Sequence, residues 1–153
     1  MTAIELENYR QNVILSFEEP TILNAEKDVC LLNAGNTGNR DAHGGKSWIN
    51  YWRAITRNHD SILHCSSCGK VIFVGDLAQD QVRKYYLPIG GKIEDHQAHG
   101  GHLWVVAPKE ATWPGGRYIA PLCPACNAKH NQQIVIKAGS VLCKEVGANV
   151  TKG

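Results

Sequence analysis

Hydrophobic residues along the chain come in short runs separated by glycine-, proline- and asparagine-rich breaks. Within the first 35 residues the runs are "VILSF" and "VCLLNA", divided by Pro20 and polar positions, and they predict short strands or one helix plus a strand. The stretch 33–46, "NAGNTGNRDAHGGK", reads as a loop, because glycine and asparagine tolerate positive φ and punctuate regular structure. It divides an N-terminal extension, residues 1–45, from a second region, residues 46–153. "SWINYWRAITRN" then predicts a helix: Trp48, Tyr51, Trp52 and Ile55 fall at i, i+3, i+4 and i+7, and Ser47 can cap it. The stripe of aromatics is expected to pack inward rather than to form a platform on which bases stack.

Beyond this helix, "VIFV" predicts a strand, and "QVRKYYLPIGGKIEDHQAHGG" a short helix followed by loop. "HLWVV" and "RYIAPL" are β-rich and flank "APKEATWPGG", a turn-rich connection, which together signal a hairpin with a long loop. "PACNAKHNQQ" predicts a short helix and "IVIKAGSVLCKEV" further strand. The pattern contains no internal repeat and no coiled-coil heptad. Helices and strands are mixed without βαβ alternation, so the expected class is α+β.

Composition narrows this only in part. A chain of 153 residues, 43% of them apolar, is large enough for one hydrophobic core. No run approaches the roughly 18 apolar residues of a membrane span. "MTAIELENYRQNVILSFEEP" has the character of neither a signal peptide nor a transit peptide, so a cytoplasmic chain with no membrane partner is expected. A net charge of +2 and a pI near 8.2 do not by themselves announce a nucleic-acid partner, which a pI above about 9 would.

Cysteine changes the picture. Four of the six cysteines form two C-x-x-C pairs, Cys65/Cys68 in "CSSCG" and Cys123/Cys126 in "CPAC". In a reducing compartment such pairs read as metal ligands or redox centres, and the redox reading needs a thioredoxin-like βαβ context that is missing here. Gly69 lets the backbone turn tightly under the first pair, and the second sits where a strand meets a helix. The N–H groups of a helix N-terminus favour thiolate there. Four cysteines make a closed tetrahedral site, which is structural, and Zn2+ is the expected ion. The 54 residues between Cys68 and Cys123 exceed the spacing of compact zinc ribbons, so the proximity of the pairs is inferred. Cys30 and Cys143 lie in apolar runs and are expected to be buried as small hydrophobes. Knuckle, β-hairpin, then a helix whose first turn completes the site is the order of a treble clef, or ββα-metal, zinc core.

On "CSSC", "GGHLW" and "YIAPLCPACNAKH" the chain resembles the HNH-type (ββα-metal) endonucleases and their small zinc-bearing bacterial relatives. The resemblance covers roughly residues 46–140, with Trp48, Trp52, Cys65, Cys68, His102, Tyr118 and Cys123 to Asn127 in the expected order. It implies that His102, with 20 residues between it and Cys123, is a general base that activates water. Asn127 or His130 would then help hold a catalytic Mg2+ or Mn2+ distinct from the zinc. Two family features are replaced: the acid before the histidine by Gly101, and the asparagine that orients the base by Tyr118. Glu94 or Asp95 could supply an acid from the nearby loop. His96, His99 and His102 stand three apart and would mark a second metal only on a helix, which the glycines argue against; His96 and His99 read as loop residues, as do His43, His59 and His64, while His102 heads a strand. Two functions follow. One is a degenerate, non-catalytic zinc module that binds DNA, RNA or a protein; the other is a metal-dependent nuclease.

Overall fold

Thr2 begins the first helix. Its hydroxyl accepts the Glu5 N–H at 3.1 Å while the Glu5 carboxylate accepts the Thr2 N–H at 3.1 Å, a reciprocal cap that fixes the start of α1, Ala3–Ser16. Leu6, Tyr9, Arg10 and Val13 form its buried stripe. The structure, a computed structural model, describes residues 1–34, 41–75, 84, 92–105 and 113–146. The elements after α1 are β1 (Ile22–Asn24), β2 (Val29–Asn33), α2 (Trp48–Thr56), β3 (Ile62–His64), β4 (Val71–Phe73), β5 (His99–Val105), β6 (Gly116–Leu122), α3 (Pro124–Asn127), β7 (Gln133–Ile136) and β8 (Val141–Lys144). The molecule is therefore α+β. Among the described residues no helix is long and apolar enough to cross a membrane.

Six strands form one antiparallel sheet in the order β1-β8-β6-β5-β2-β7, and β3 and β4 form a separate hairpin. Two strands from the N-terminal part are woven into the large sheet: β1 pairs with β8, and β2 lies between β5 and β7. Local apolar pattern carries no information about which strands pair, so this placement was not visible in "VCLLNA".

Helix α2 covers the sheet and begins at the Ser47 cap, whose hydroxyl accepts the Asn50 N–H at 3.2 Å. Trp48 and Trp52 are 7% and 4% exposed, so the aromatic stripe does pack inward. The Trp52 indole donates to the Val141 carbonyl at 2.8 Å, and the Tyr51 hydroxyl donates to Lys144 at 2.6 Å, which ties α2 to β8. α2 also packs directly against the backbone of β5. A Cβ at Gly100 would lie 2.5 Å from the Trp48 carbonyl carbon, so only glycine fits.

Several expectations need correcting. Cys143 is fully buried, but Cys30 is exposed, because it occupies an outward position in the alternation of β2. His96 is not a loop residue. It closes a single 3₁₀ turn over Ile93–His96, is buried, and its Nδ1 lies 2.9 Å from the Val71 carbonyl. His99 and His102 lie on β5, where a spacing of three puts side chains on opposite faces. His64 ends β3, and His43 belongs to a 3₁₀ turn over His43–Gly45. The helix and loop expected over residues 81–91 fall outside the described residues apart from Lys84, as does much of the loop between β5 and β6.

The tight approach of α2 to β5 yields a stability prediction. Gly100→Ala is expected to cost about 1–3 kcal/mol by overpacking. Gly75→Ala, where no described residue lies within 4 Å of the added carbon, should stay within about 0.5 kcal/mol of wild type. Urea unfolding followed by tryptophan fluorescence measures both; equal midpoints would show that α2 tolerates displacement.

Candidate metal centre and adjoining cavity

The first cysteine pair is shaped by a tight turn between β3 and β4. The Cys65 N–H donates to Lys70 at 2.8 Å and the Gly69 N–H to Cys65 at 2.9 Å, with Gly69 at φ +81°. That left-handed conformation favours glycine and lets the chain reverse beneath the two sulfurs. The second pair is shaped by α3. Cys123 is its N-cap, its sulfur accepting the Cys126 N–H at 3.5 Å, and Pro124 occupies the first turn, where a missing N–H costs nothing.

Ser66 joins the two halves. Its N–H donates to the Pro121 carbonyl at the end of β6 at 2.9 Å, and its carbonyl accepts the Lys137 N–H at 2.8 Å. Cys65, Cys68, Cys123 and Cys126 consequently place their sulfurs within 4.8 Å of one another, and Cys68 Sγ lies 3.7 Å from Cys123 Sγ. A tetrahedral ion with metal–sulfur bonds near 2.3 Å would space its sulfurs by about 3.8 Å. The four cysteines can therefore hold one metal ion. Among the described residues this is the only group of three or more His, Cys, Asp or Glu side chains close enough to do so.

The electrostatics of the cluster call for a cation. Burial pushes the Cys65 thiol up, but the N–H groups of Cys68, Cys123 and Ser67 outweigh it and bring Cys65 below the ordinary thiol range. Cys123 and Cys126 are both raised, first by burial, with the charge on Cys65 adding to the rise. One thiolate thus makes its neighbours harder to ionise, whereas a bound divalent ion reverses the sign of that field and favours all four thiolates.

Asn33, at the end of β2, supports the second pair. Its side-chain amide donates to the carbonyls of Cys126, Asn127 and Lys129 at 3.3, 3.0 and 3.1 Å. These carbonyls lie at and just past the end of α3, and that of Cys126 also accepts the Lys129 N–H at 3.2 Å. The contact locks α3 to the N-terminal part of the chain. Asn33 was missed in the sequence because it read as the start of a loop.

Next to this centre is a cavity of about 450 Å³, to which no cysteine contributes. His102 reaches it from β5, Asn127 from the end of α3, and His130 from three residues on; His99, Asp41, Ser47, Asn50 and Gln97 add to the polar lining. The three residues proposed from sequence as a catalytic set thus share one space. Burial lowers the His99 pKa below the ordinary histidine value, so this ring is neutral at pH 7. Glu94 and Asp95 do not line the cavity. Asp95 instead accepts the Lys92 N–H at 3.0 Å, and the acid present is Asp41. Gly101 leaves no room for an acid: a Cβ there would lie 2.3 Å from Cδ1 of the buried Leu122. Tyr118 does not orient His102, since its hydroxyl donates to Pro114 at 2.9 Å.

What holds His102 is a buried ionic row. The ladder puts His102, Trp104, Arg117, Cys143 and Glu145 on the sheet face beneath α2. Glu145 Oε2 lies 3.1 Å from Arg117 Nε, and its Oε1 lies 3.5 Å from His102 Nε2. Arg117 also stacks over Trp104 at 5.2 Å, and the Trp48 ring meets the His102 imidazole edge-on at 4.9 Å. The signal that could have found Arg117 is a lone charge at the head of the apolar run "YIAPL"; Glu145 follows Lys144 and carries no such signal. Compared with family models, curated proteins and solved structures, the chain matches none.

Two measurements check the centre. Metal analysis of the purified chain should give one ion per chain, and Cys123→Ser should lose it and unfold, since such sites supply on the order of 10 kcal/mol or more. Asn33→Ala removes the amide under α3 and should cost about 1–3 kcal/mol while leaving one ion bound. An unchanged melting temperature for Asn33→Ala would deny that the amide anchors α3.

Proposed function

We propose that this protein is a zinc-stabilised module of the treble-clef type that binds the phosphate backbone of DNA or RNA at the histidine-bearing cavity without cutting it. The element order supports the treble-clef reading: the β3–β4 knuckle, the β5–β6 hairpin, then α3 with the last two ligands in its first turns. An all-sulfur tetrahedral donor set suits Zn2+, which closes such sites for structural purposes. Cys65, Cys68, Cys123 and Cys126 would hold it.

The observation that carries the binding reading is the convergence of His102, Asn127 and His130 on one cavity whose lining, among the described residues, includes a single carboxylate, Asp41. Imidazole and amide groups donate hydrogen bonds to phosphate oxygens, and the exposed Lys46 and Lys129 adjoin lining residues in the chain. Against cleavage stand the steric exclusion of an acid at Gly101 and the lack of a second metal-ligand group among the described residues. His102 is also 4% exposed and set between Glu145 and Trp48, as a residue that fixes the hairpin would be. The second reading, an HNH-type nuclease with His102 as general base and Mg2+ or Mn2+ near Asn127 and His130, draws on the same convergence.

Fluorescence anisotropy with labelled single- and double-stranded oligonucleotides, together with plasmid nicking in Mg2+ or Mn2+, separates the two readings. Binding without nicking is expected, with affinity falling as salt rises. His130→Ala, at an exposed position, should weaken binding roughly tenfold, the scale of one hydrogen bond to a charged group, without loss of zinc. Metal-dependent nicking abolished by His102→Ala would establish the nuclease instead. Absence of both binding and nicking would overturn the nucleic-acid reading.

A further inference from the structure

The four residues of the cysteine cluster are not equally exposed. Cys65, Cys123 and Cys126 are 3%, 1% and 5% exposed, whereas Cys68 is exposed at the tip of the knuckle, beside the exposed Gly69. A reagent arriving from solvent meets Cys68 first. Directly behind it is Cys123, its sulfur 3.7 Å away. Bond formation between them needs an approach to about 2.05 Å, a shift of under 2 Å for a side chain on an exposed turn.

We propose that Cys68 is an oxidative modification site for hydroperoxides, with Cys123 as the sulfur that resolves it. This rests on the zinc reading above. The Cys68 thiolate attacks the terminal oxygen of the hydroperoxide: a sulfur–oxygen bond forms, the oxygen–oxygen bond breaks, and the alkoxide or hydroxide leaves and takes a proton from water. The Cys123 thiolate then attacks the Cys68 sulfenic acid. A disulfide forms, the sulfur–oxygen bond breaks, and hydroxide leaves. The two sulfurs together lose two electrons, and the hydroperoxide gains them. With two of its four ligands consumed, the zinc ion departs.

The consequence reaches the cavity. Cys123 is the N-cap of α3, and Asn127 closes that helix at the cavity wall, so ligand loss at Cys123 loosens the element that presents Asn127. Thiol reductant and zinc reverse the step, since Cys68, one half of the disulfide, is on an exposed turn. Cys30 is also exposed, but it is on β2 and not among the clustered sulfurs. Cys143 is completely buried.

The test uses the zinc-loaded chain carrying Cys30→Ser, treated with hydrogen peroxide. Zinc release is followed with a chromogenic chelator, and disulfides are mapped by peptide mass spectrometry. One zinc released per Cys68–Cys123 disulfide is expected, with dithiothreitol and zinc restoring the starting state. Cys68→Ser, if it folds, should slow release at least about tenfold. A first disulfide of Cys65–Cys68 or Cys123–Cys126, or release without any disulfide, would overturn the proposal. So would full retention of zinc after prolonged treatment. A purified chain that holds no zinc would refute the metal reading alone, because mapping of the peroxide-treated metal-free chain still decides whether Cys68 pairs with Cys123.

Discussion

Four sulfur atoms within 4.8 Å of one another set the constraint on which the rest of the structure depends. If protonated, they are thiols packed together with poor hydrogen-bonding capacity. If ionised, they repel at close range in a partly desolvated site. A divalent cation removes the conflict and turns it into attraction. The pairs come from turns separated by 54 residues of sequence, so the ion acts as a cross-link between two parts of the chain that local interactions would not bring together.

Neutral contacts prepare the same junction. Ser66 bridges the knuckle to the end of β6 and to Lys137, and Asn33 holds the carbonyls at the end of α3. Gly100 lets α2 press onto β5, which brings Trp48 against His102. On the far side, Glu145 links His102 to Arg117 across neighbouring strands. The cavity thus has one wall set by the cysteine centre, through Asn127 and His130, and another set by a buried ionic row. Neither wall is a loop held only by its own residues, which is what a preformed ligand site requires.

Parts of this organisation were legible in the sequence because they are local. C-x-x-C spacing, the apolar period of α2 and the β-rich runs around "HLWVV" and "RYIAPL" each depend on neighbours within about a turn or a strand. What was hidden is non-local. Nothing in "VCLLNA" says that β2 enters the sheet between β5 and β7 and turns Cys30 outward, or that Asn33 faces residues 126–129. Likewise the His102–Glu145 contact joins residues 43 positions apart, and three histidines at equal spacing are separated by a switch from 3₁₀ turn to strand. Gly101 packs on Leu122 and has no room for an acid, and the acid that lines the cavity among the described residues is Asp41, from a distant segment, rather than Glu94 or Asp95.

The claim at the centre of this account is that one zinc ion joins the two cysteine pairs. X-ray absorption at the zinc edge of the purified, untagged chain addresses it most directly, because it counts the scatterers around the metal and identifies their element. Four sulfur scatterers at about 2.3 Å, with no nitrogen or oxygen shell near 2.0 Å, is the predicted result. A shell dominated by nitrogen or oxygen, or a folded chain that takes up no zinc, would contradict it.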